Sequence, residues 1–288
     1  MSTFRPRRSV LYMPSSNERA LEKAKTIPCD ALILDLEDAV APDAKPGARD
    51  AACAAVQSGE YGRRELTIRI NGADTEWHDA DMAAACAAGP DAIVVPKVDS
   101  ADAVRTLVAA MARHGAPERT TLWAMVETPI AMLHAHAIAA ASDRLSVLVM
   151  GTNDLAKELY AEHVPGRQPL LTGLGLALLA ARATGKAILD GVYNDVKNAE
   201  GFAAECQQGR EMGFDGKTLI HPGQVAAANE AFAPSEKAVE DARGILAAWE
   251  AGRGSGVVTY NGRMIENLHV ESAERILSIH DAIAALDA

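Results

Sequence analysis

Eight short apolar runs rich in Val, Ile and Leu alternate with longer, often alanine-rich stretches of helical character. The runs fall at 8–14, 31–37, 65–71, 91–98, 120–128, 145–151, 186–193 and 215–221, and segments such as 17–27, 101–113, 129–141 and 199–212 lie between them. A near-continuous apolar run suits a strand buried on both faces, whereas a strand with one wet face would alternate. Parallel neighbours also need long crossovers, and helices provide them. Eight such units predict a closed (β/α)8 TIM barrel of the α/β class. An open doubly wound sheet is the alternative, but no GxGxxG follows the first run to favour it.

The alternation ends near residue 230. Residues 1–232 are therefore read as a TIM-barrel catalytic domain, and 233–288 as a C-terminal helical extension. The extension begins with a Pro break, a helix and the Gly-rich AGRGSG, followed by a short strand, a turn and a final helix. No internal repeat is found. A chain of 288 residues, 49% of them hydrophobic, can bury a substantial core. Its net charge of -11 argues against general affinity for nucleic acid or anionic membrane. The N-terminus MSTFRPRRSVLYMP has no apolar signal core, and no segment has 18 uninterrupted apolar residues, so a cytoplasmic location is expected. Cys29, Cys53, Cys86 and Cys206 form no CxxC pair and are read as small core residues.

Strand C-termini of a parallel barrel gather at one mouth, where polar residues are functional candidates. The second run ends in Asp35, Glu37 and Asp38, the third in Arg69 and Asn71, the fourth in Lys97 and the fifth in Glu127, while Asp154 follows the sixth. Glu127 and Asp154, from adjacent strands, could present two hard oxygen ligands to Mg²⁺, which favours carboxylates together with water and substrate oxygens. Equally, Glu127 could cap the helix after Thr128-Pro129, and Asp154 could be a helix N-terminal acid. Asp35 and Glu37, two apart, are expected on one face of the strand, where they could hydrogen-bond metal-bound waters, orient Arg69 or form a structural ion pair with it.

The blocks RSVLYMPSSNERALEKA, LDLEDAVAPDAKPGAR, TIRIN, MVETP, GTNDLAKEL, DGKTLIHPGQ and YNGRMIE, in this order, resemble the citrate lyase beta-subunit-like family of the HpcH/HpaI aldolase superfamily. The resemblance spans essentially the whole chain. It implies a TIM barrel that uses Mg²⁺ to cleave or form a carbon–carbon bond in a short 3-hydroxyacyl-CoA, such as malyl-CoA or citramalyl-CoA, giving an acyl-CoA and a 2-oxo acid. It further implies Glu127 and Asp154 as metal ligands and Arg69 as a contact to the substrate oxygens. A C-terminal acid delivered from a neighbouring subunit is implied as well, in a homo-oligomer, most simply a trimer. At that position the chain carries Glu266 where the family commonly has Asp, which opens the possibility of altered chemistry, including thioester hydrolysis.

For coenzyme A, Lys23, Lys45 and Arg49 follow the first two strands on the expected mouth side and are candidates for phosphate contacts, each otherwise a solvated helix charge. Tyr12, Ile220 and His221 end the first and eighth strands and could line an acyl-CoA channel, with helix capping as the alternative for His221. Two other functions stay open: a citryl-thioester lyase subunit of a citrate lyase complex, and a non-catalytic thioester-binding assembly subunit.

Overall fold

The computed structural model describes residues 5–252 and 257–287, and the chain divides into two compact units. The first, Arg7–Ala231, is a closed barrel in which eight strands pair in sequence order and all in parallel. Its first half contains β1 (Ser9–Pro14), α1 (Glu18–Ala24), β2 (Ala31–Asp35), α2 (Lys45–Ser58), β3 (Glu65–Arg69), α3 (His78–Ala88), β4 (Ala92–Val95) and α4 (Ala101–Arg113). The second half contains β5 (Thr121–Val126), α5 (Pro129–Ala139), β6 (Leu145–Met150), α6 (Thr152–Glu158), α7 (Leu171–Ala183), β7 (Ala187–Asp190), α8 (Ala199–Met212) and β8 (Gly216–Leu219), and then α9 (Val225–Phe232). All eight expected strands are present, each shorter than its apolar run because the polar run ends lie in the connecting loops.

Alternate residues of the strands form one core. Val10, Ala31, Ile33, Val94, Trp123, Met125, Val147, Val149 and Leu189 pack together, with Tyr12 against them. The period-two alternation that turns these side chains inward also determines which polar residues follow them at the mouth. Asp35 and Arg69 are Cα partners in the β2–β3 ladder, at the ends of their strands. The neighbouring phase faces the helices. There Lys217 and Asp190, both fully buried, meet at 2.9 Å, with Arg167 2.6 Å from Asp190 and Glu205 2.8 Å from Lys217. Burial alone would raise the Asp190 carboxyl, but Lys217 and Arg167 together hold it below the ordinary aspartate value.

The second unit comprises Phe232–Ala288 with the residues up to Pro6. It contains α10 (Glu236–Ala251), an antiparallel hairpin of β9 (Val258–Tyr260) and β10 (Arg263–Ile265), and α11 (Asn267–Asp287). One strand was expected here. The hairpin forms because Asn261-Gly262, both at positive φ, make the tight turn that returns the chain. Val258, Ile265 and Val270 form a small core with Ile245 and Trp249 against it. The Gly-rich hinge expected at AGRGSG falls largely on residues 253–256, outside the described residues. Cys29, Cys86 and Cys206 are buried as expected, whereas Cys53 is only half-buried. Among the described residues no helix is long and apolar enough to cross a membrane.

Candidate active site

The strand ends enclose a cavity of about 320 Å³ lined by residues including Tyr12, Asp35, Arg69, Glu127, Asp154 and Ile220. Its charged centre is Arg69, only 7% exposed. Nε and Nη2 donate to the two Asp35 oxygens at 2.7 Å each, a bidentate pair. Nη1 lies 2.8 Å from Glu37 Oε2 and 3.4 Å from Asp38, and the guanidinium sits 4.8 Å from the Tyr12 ring centroid. Asp35 and Glu37 reach the same cation by different means than a shared strand face. The strand ends at Asp35, and Glu37 belongs to the loop that follows, where its amide and that of Ala39 donate to the Asp35 carboxylate.

These placements leave a carboxyl that resists ionisation beside one already committed. Burial first, then the nearby Asp38, Glu127 and Asp35, push the Glu37 carboxyl up to about 8 despite the attraction of Arg69. Burial likewise raises the Tyr12 phenol, with Arg69 opposing.

Glu127 stands across the cavity, 2% exposed, with Oε1 accepting from the Lys97 amide at 2.7 Å. Burial pushes its carboxyl up to about 7; the Lys97 amide opposes the rise and Asp154 adds to it. The helix-capping alternative for Glu127 does not hold, because Thr128 Oγ1 takes that role by accepting from the Ala131 amide. Asp154 lies in the first turn of α6 and also lines the cavity, so its helix-terminal position does not remove it from the site. Gly151 makes the approach possible: a Cβ there would lie 2.0 Å from Glu127 Oε2. Among the described residues no group of three or more His, Cys, Asp or Glu could hold a metal ion. Two carboxyl groups lining one open volume nonetheless fit Mg²⁺, which keeps waters and substrate oxygens in most of its positions. A cation there would also offset the repulsion by which Asp154 adds to the rise of the Glu127 carboxyl.

Several expected contacts do not form at the mouth. Lys23 is exposed in the last turn of α1, and a helix that follows β1 runs back from the mouth, which carries Lys23 toward the opposite face. Lys45 is buried, and its Nζ donates to Leu36 O, Glu37 O and Asn71 Oδ1, so all three of its protons are used within the protein. Arg49 Nε is tied to the buried Asp81 at 2.6 Å. Lys23 and Lys45 are thereby corrected as phosphate contacts, whereas for Arg49 only Nε is committed to Asp81. His221 does not line the cavity; its Nδ1 accepts from the Gly223 amide as a cap of the turn that follows. Glu266 is exposed in the second unit, immediately before α11, where its carbonyl accepts from the His269 and Val270 amides.

The strand-end reasoning passed over Thr152, Asn153, Val192 and Asn194, which also line the cavity. Asn153 and Asn194 exchange side-chain hydrogen bonds of 2.7 and 3.2 Å and join the first turn of α6 to the loop after β7. Thr152, Asn153 and Asn194 carry a sequence signal as the polar residues directly after the sixth and seventh runs, whereas the apolar Val192 carries none.

A family model described as HpcH/HpaI aldolase/citrate lyase matches residues 8–222, and one described as C-C_Bond_Lyase of the TIM-Barrel fold matches 174–282. A (3S)-malyl-CoA thioesterase of Cereibacter sphaeroides is 50% identical over 285 residues, covering 98% of each chain. The citrate lyase subunit beta of Escherichia coli is 36% identical over 281 residues, covering 95% of this chain and 93% of that one. The crystal structure of the Mycobacterium tuberculosis protein CitE in complex with magnesium, acetoacetate and coenzyme A aligns with a TM-score of 0.75 at 30% identity, covering 93% and 96% of the two chains.

Proposed function

The chain belongs to the HpcH/HpaI aldolase/citrate lyase family, and on that footing we propose that it is a Mg²⁺-dependent carbon–carbon lyase acting on a malyl-CoA-like thioester. The observation that carries this reading is the meeting, in one cavity, of the buried Arg69 guanidinium with the Glu127 and Asp154 carboxyl groups. The magnesium complexes of the Mycobacterium tuberculosis relative, with acetoacetate and coenzyme A or with oxaloacetate, support the metal and the ligand class.

Glu127 and Asp154 would hold Mg²⁺, whose contribution is to polarise the forming 2-oxo carbonyl and acidify the 3-hydroxyl. Cleavage releases the 3-hydroxyl proton to solvent, breaks the C2–C3 bond, leaves the hydroxyl oxygen as the carbonyl of a 2-oxo acid, and places the electron pair of the broken bond on the thioester enolate. Arg69 answers that charge. Its contact to the exposed Asp38 is long, at 3.4 Å, so a substrate oxygen can take that direction while Asp35 keeps the guanidinium oriented. One such preorganised donor is commonly worth about 3–4 kcal/mol at the transition state. Tyr12 supports the cation from its ring face. Quenching the enolate needs a proton at the methyl carbon, and Glu266 of a neighbouring subunit is assigned this task within a cytoplasmic homotrimer. Its exposure in its own chain supports the assignment. Assembly is also supported by Leu133 and Leu179, 75% and 71% exposed on the mutually packed helices α5 and α7.

A second reading is hydrolysis of the thioester, favoured by the 50% identity to the (3S)-malyl-CoA thioesterase against 36% to the citrate lyase subunit. Incubation of (3S)-malyl-CoA with enzyme and Mg²⁺ separates the two. Glyoxylate trapped as its phenylhydrazone, without free thiol, marks the lyase; thiol release with malate and no glyoxylate marks the thioesterase. Turnover confined to citryl thioesters on a carrier protein would replace both with the citrate lyase complex. Binding of CoA and Mg²⁺ without any turnover would leave a non-catalytic subunit.

A further inference from the structure

The loop that carries Glu37 and Asp38 is held from beneath by a buried lysine. Lys45, 6% exposed, opens α2 and donates to Leu36 O at 2.9 Å, Glu37 O at 3.0 Å and Asn71 Oδ1 at 2.6 Å, with the Trp77 ring 5.0 Å from Nζ. Asn71 is itself locked. Its Nδ2 donates to Leu36 O at 3.0 Å and to Asp81 Oδ2 at 2.6 Å, and Asp81 in turn takes Arg49 Nε at 2.6 Å. On its other side the same loop is held by the site. The Glu37 and Ala39 amides donate to the Asp35 carboxylate, and the Leu36 amide donates to Arg69 O at 2.9 Å. The carbonyls of residues 36 and 37 thus point to Lys45 while their neighbouring amides point to the Arg69–Asp35 pair.

We propose that Lys45 is a positioning residue for the reaction, acting through the loop backbone to hold the Glu37 side chain against Arg69 and so to aim the guanidinium into the cavity. An ammonium suits the task because its three protons diverge from one nitrogen toward three acceptors, and a planar guanidinium cannot reproduce that arrangement. Burying a cation without a carboxylate is costly unless every proton is matched, as here. The proposal rests on the lyase or thioesterase reading for its kinetic consequence and on the loop geometry for the rest.

The test compares wild type with Lys45→Met, which keeps the stem against Trp77 and removes the donors. Lys45→Arg serves as a second variant that keeps the buried charge should the first fail to fold. Hydrogen exchange at the Glu37 and Ala39 amides should accelerate by at least about tenfold, which corresponds to about 1.4 kcal/mol of lost local protection. The turnover number on (3S)-malyl-CoA should fall by about one to two orders of magnitude, as expected for displacement of a charged group by about 1 Å. Mg²⁺ affinity measured calorimetrically should stay within about twofold of wild type, because Glu127 and Asp154 stand on or after other strands. Lys45→Arg should show the same pattern in milder form. Unchanged exchange at the two amides overturns the proposal, as does faster exchange with wild-type turnover. Weaker binding of free coenzyme A with an unaltered loop also overturns it, making Lys45 a ligand cation. Should wild type turn over no thioester at all, the proposed function falls, and the exchange arm alone decides whether Lys45 orders the loop.

Discussion

Replacing Gly151 by alanine should disable the candidate metal site through a single methyl group. Gly151 sits at φ −95°, ψ 77°, so alanine meets no left-handed backbone penalty, and the effect is steric. The added Cβ would lie 2.0 Å from Glu127 Oε2, 2.4 Å from its Cβ and 2.9 Å from its Cδ, whereas real Cβ atoms essentially never come within 3.0 Å. The difference, 3.0 minus 2.0, requires the carboxylate to move by at least about 1 Å, a misplacement that can cost about a hundredfold in rate. Because the Glu127 Cβ is also too near, turning the carboxylate alone does not relieve the clash. The end of β5 must shift, and overpacking of this kind costs about 1–3 kcal/mol of stability. Gly151→Ala should therefore show turnover reduced about a hundredfold, weakened Mg²⁺ binding by calorimetry and a lower urea midpoint. In a Glu127→Gly background, which removes all three clashing atoms, the same substitution should cost almost no stability. Wild-type Mg²⁺ affinity and stability in Gly151→Ala would show that Glu127 does not stand over this turn, and the metal-site geometry would be wrong.

Other outcomes follow from the remaining charges. The Glu37 and Glu127 carboxyls are held up to about 8 and about 7, above the ordinary value of 4.5, so the folded protein binds more protons than the unfolded chain between these limits. Metal-free stability should then be greatest below about pH 4.5 as far as these two groups are concerned, and decline as pH rises toward 8. Urea unfolding in EDTA at pH 5, 7 and 8.5 should trace that decline, and the Glu37→Gln/Glu127→Gln variant should lack it. Lys217→Met should lower the unfolding free energy by about 3–5 kcal/mol, since it leaves Glu205 Oε1 and Asp190 Oδ2 without their short contacts to a buried cation and only Arg167 to hold both carboxylates; a loss below about 1 kcal/mol in urea would contradict this. Arg69→Ala and Glu266→Ala, each inactive alone, should regain partial activity when their subunits are exchanged. Exchange verified by native mass spectrometry with no return of activity would remove Glu266 from the shared-site reading.

Sequence periodicity alone determined the barrel and where each strand lies, because burial on both faces leaves strands no choice but continuous apolar runs. It also determined which polar residues gather at one end, since strand ends in a parallel barrel share a mouth whatever the detailed packing. Asp35, Arg69, Glu127 and Asp154 were legible on that ground. Hydrogen-bond accounting was not. Lys45 and Arg49 look like solvent-facing helix cations in one dimension, and only the tertiary approach of Leu36, Asn71 and Asp81 decided that the three Lys45 protons and Arg49 Nε are taken up inside the protein. Lys23 went to the wrong end of the barrel because its place depends on the direction of the returning helix rather than on its distance from β1. The requirement for glycine at 151 was likewise invisible, since a Cβ clash exists only once β5 and β6 lie side by side. Periodicity is a local property that the chain carries with it, whereas the partner of a buried charge comes from segments tens of residues away and exists only when the fold has closed.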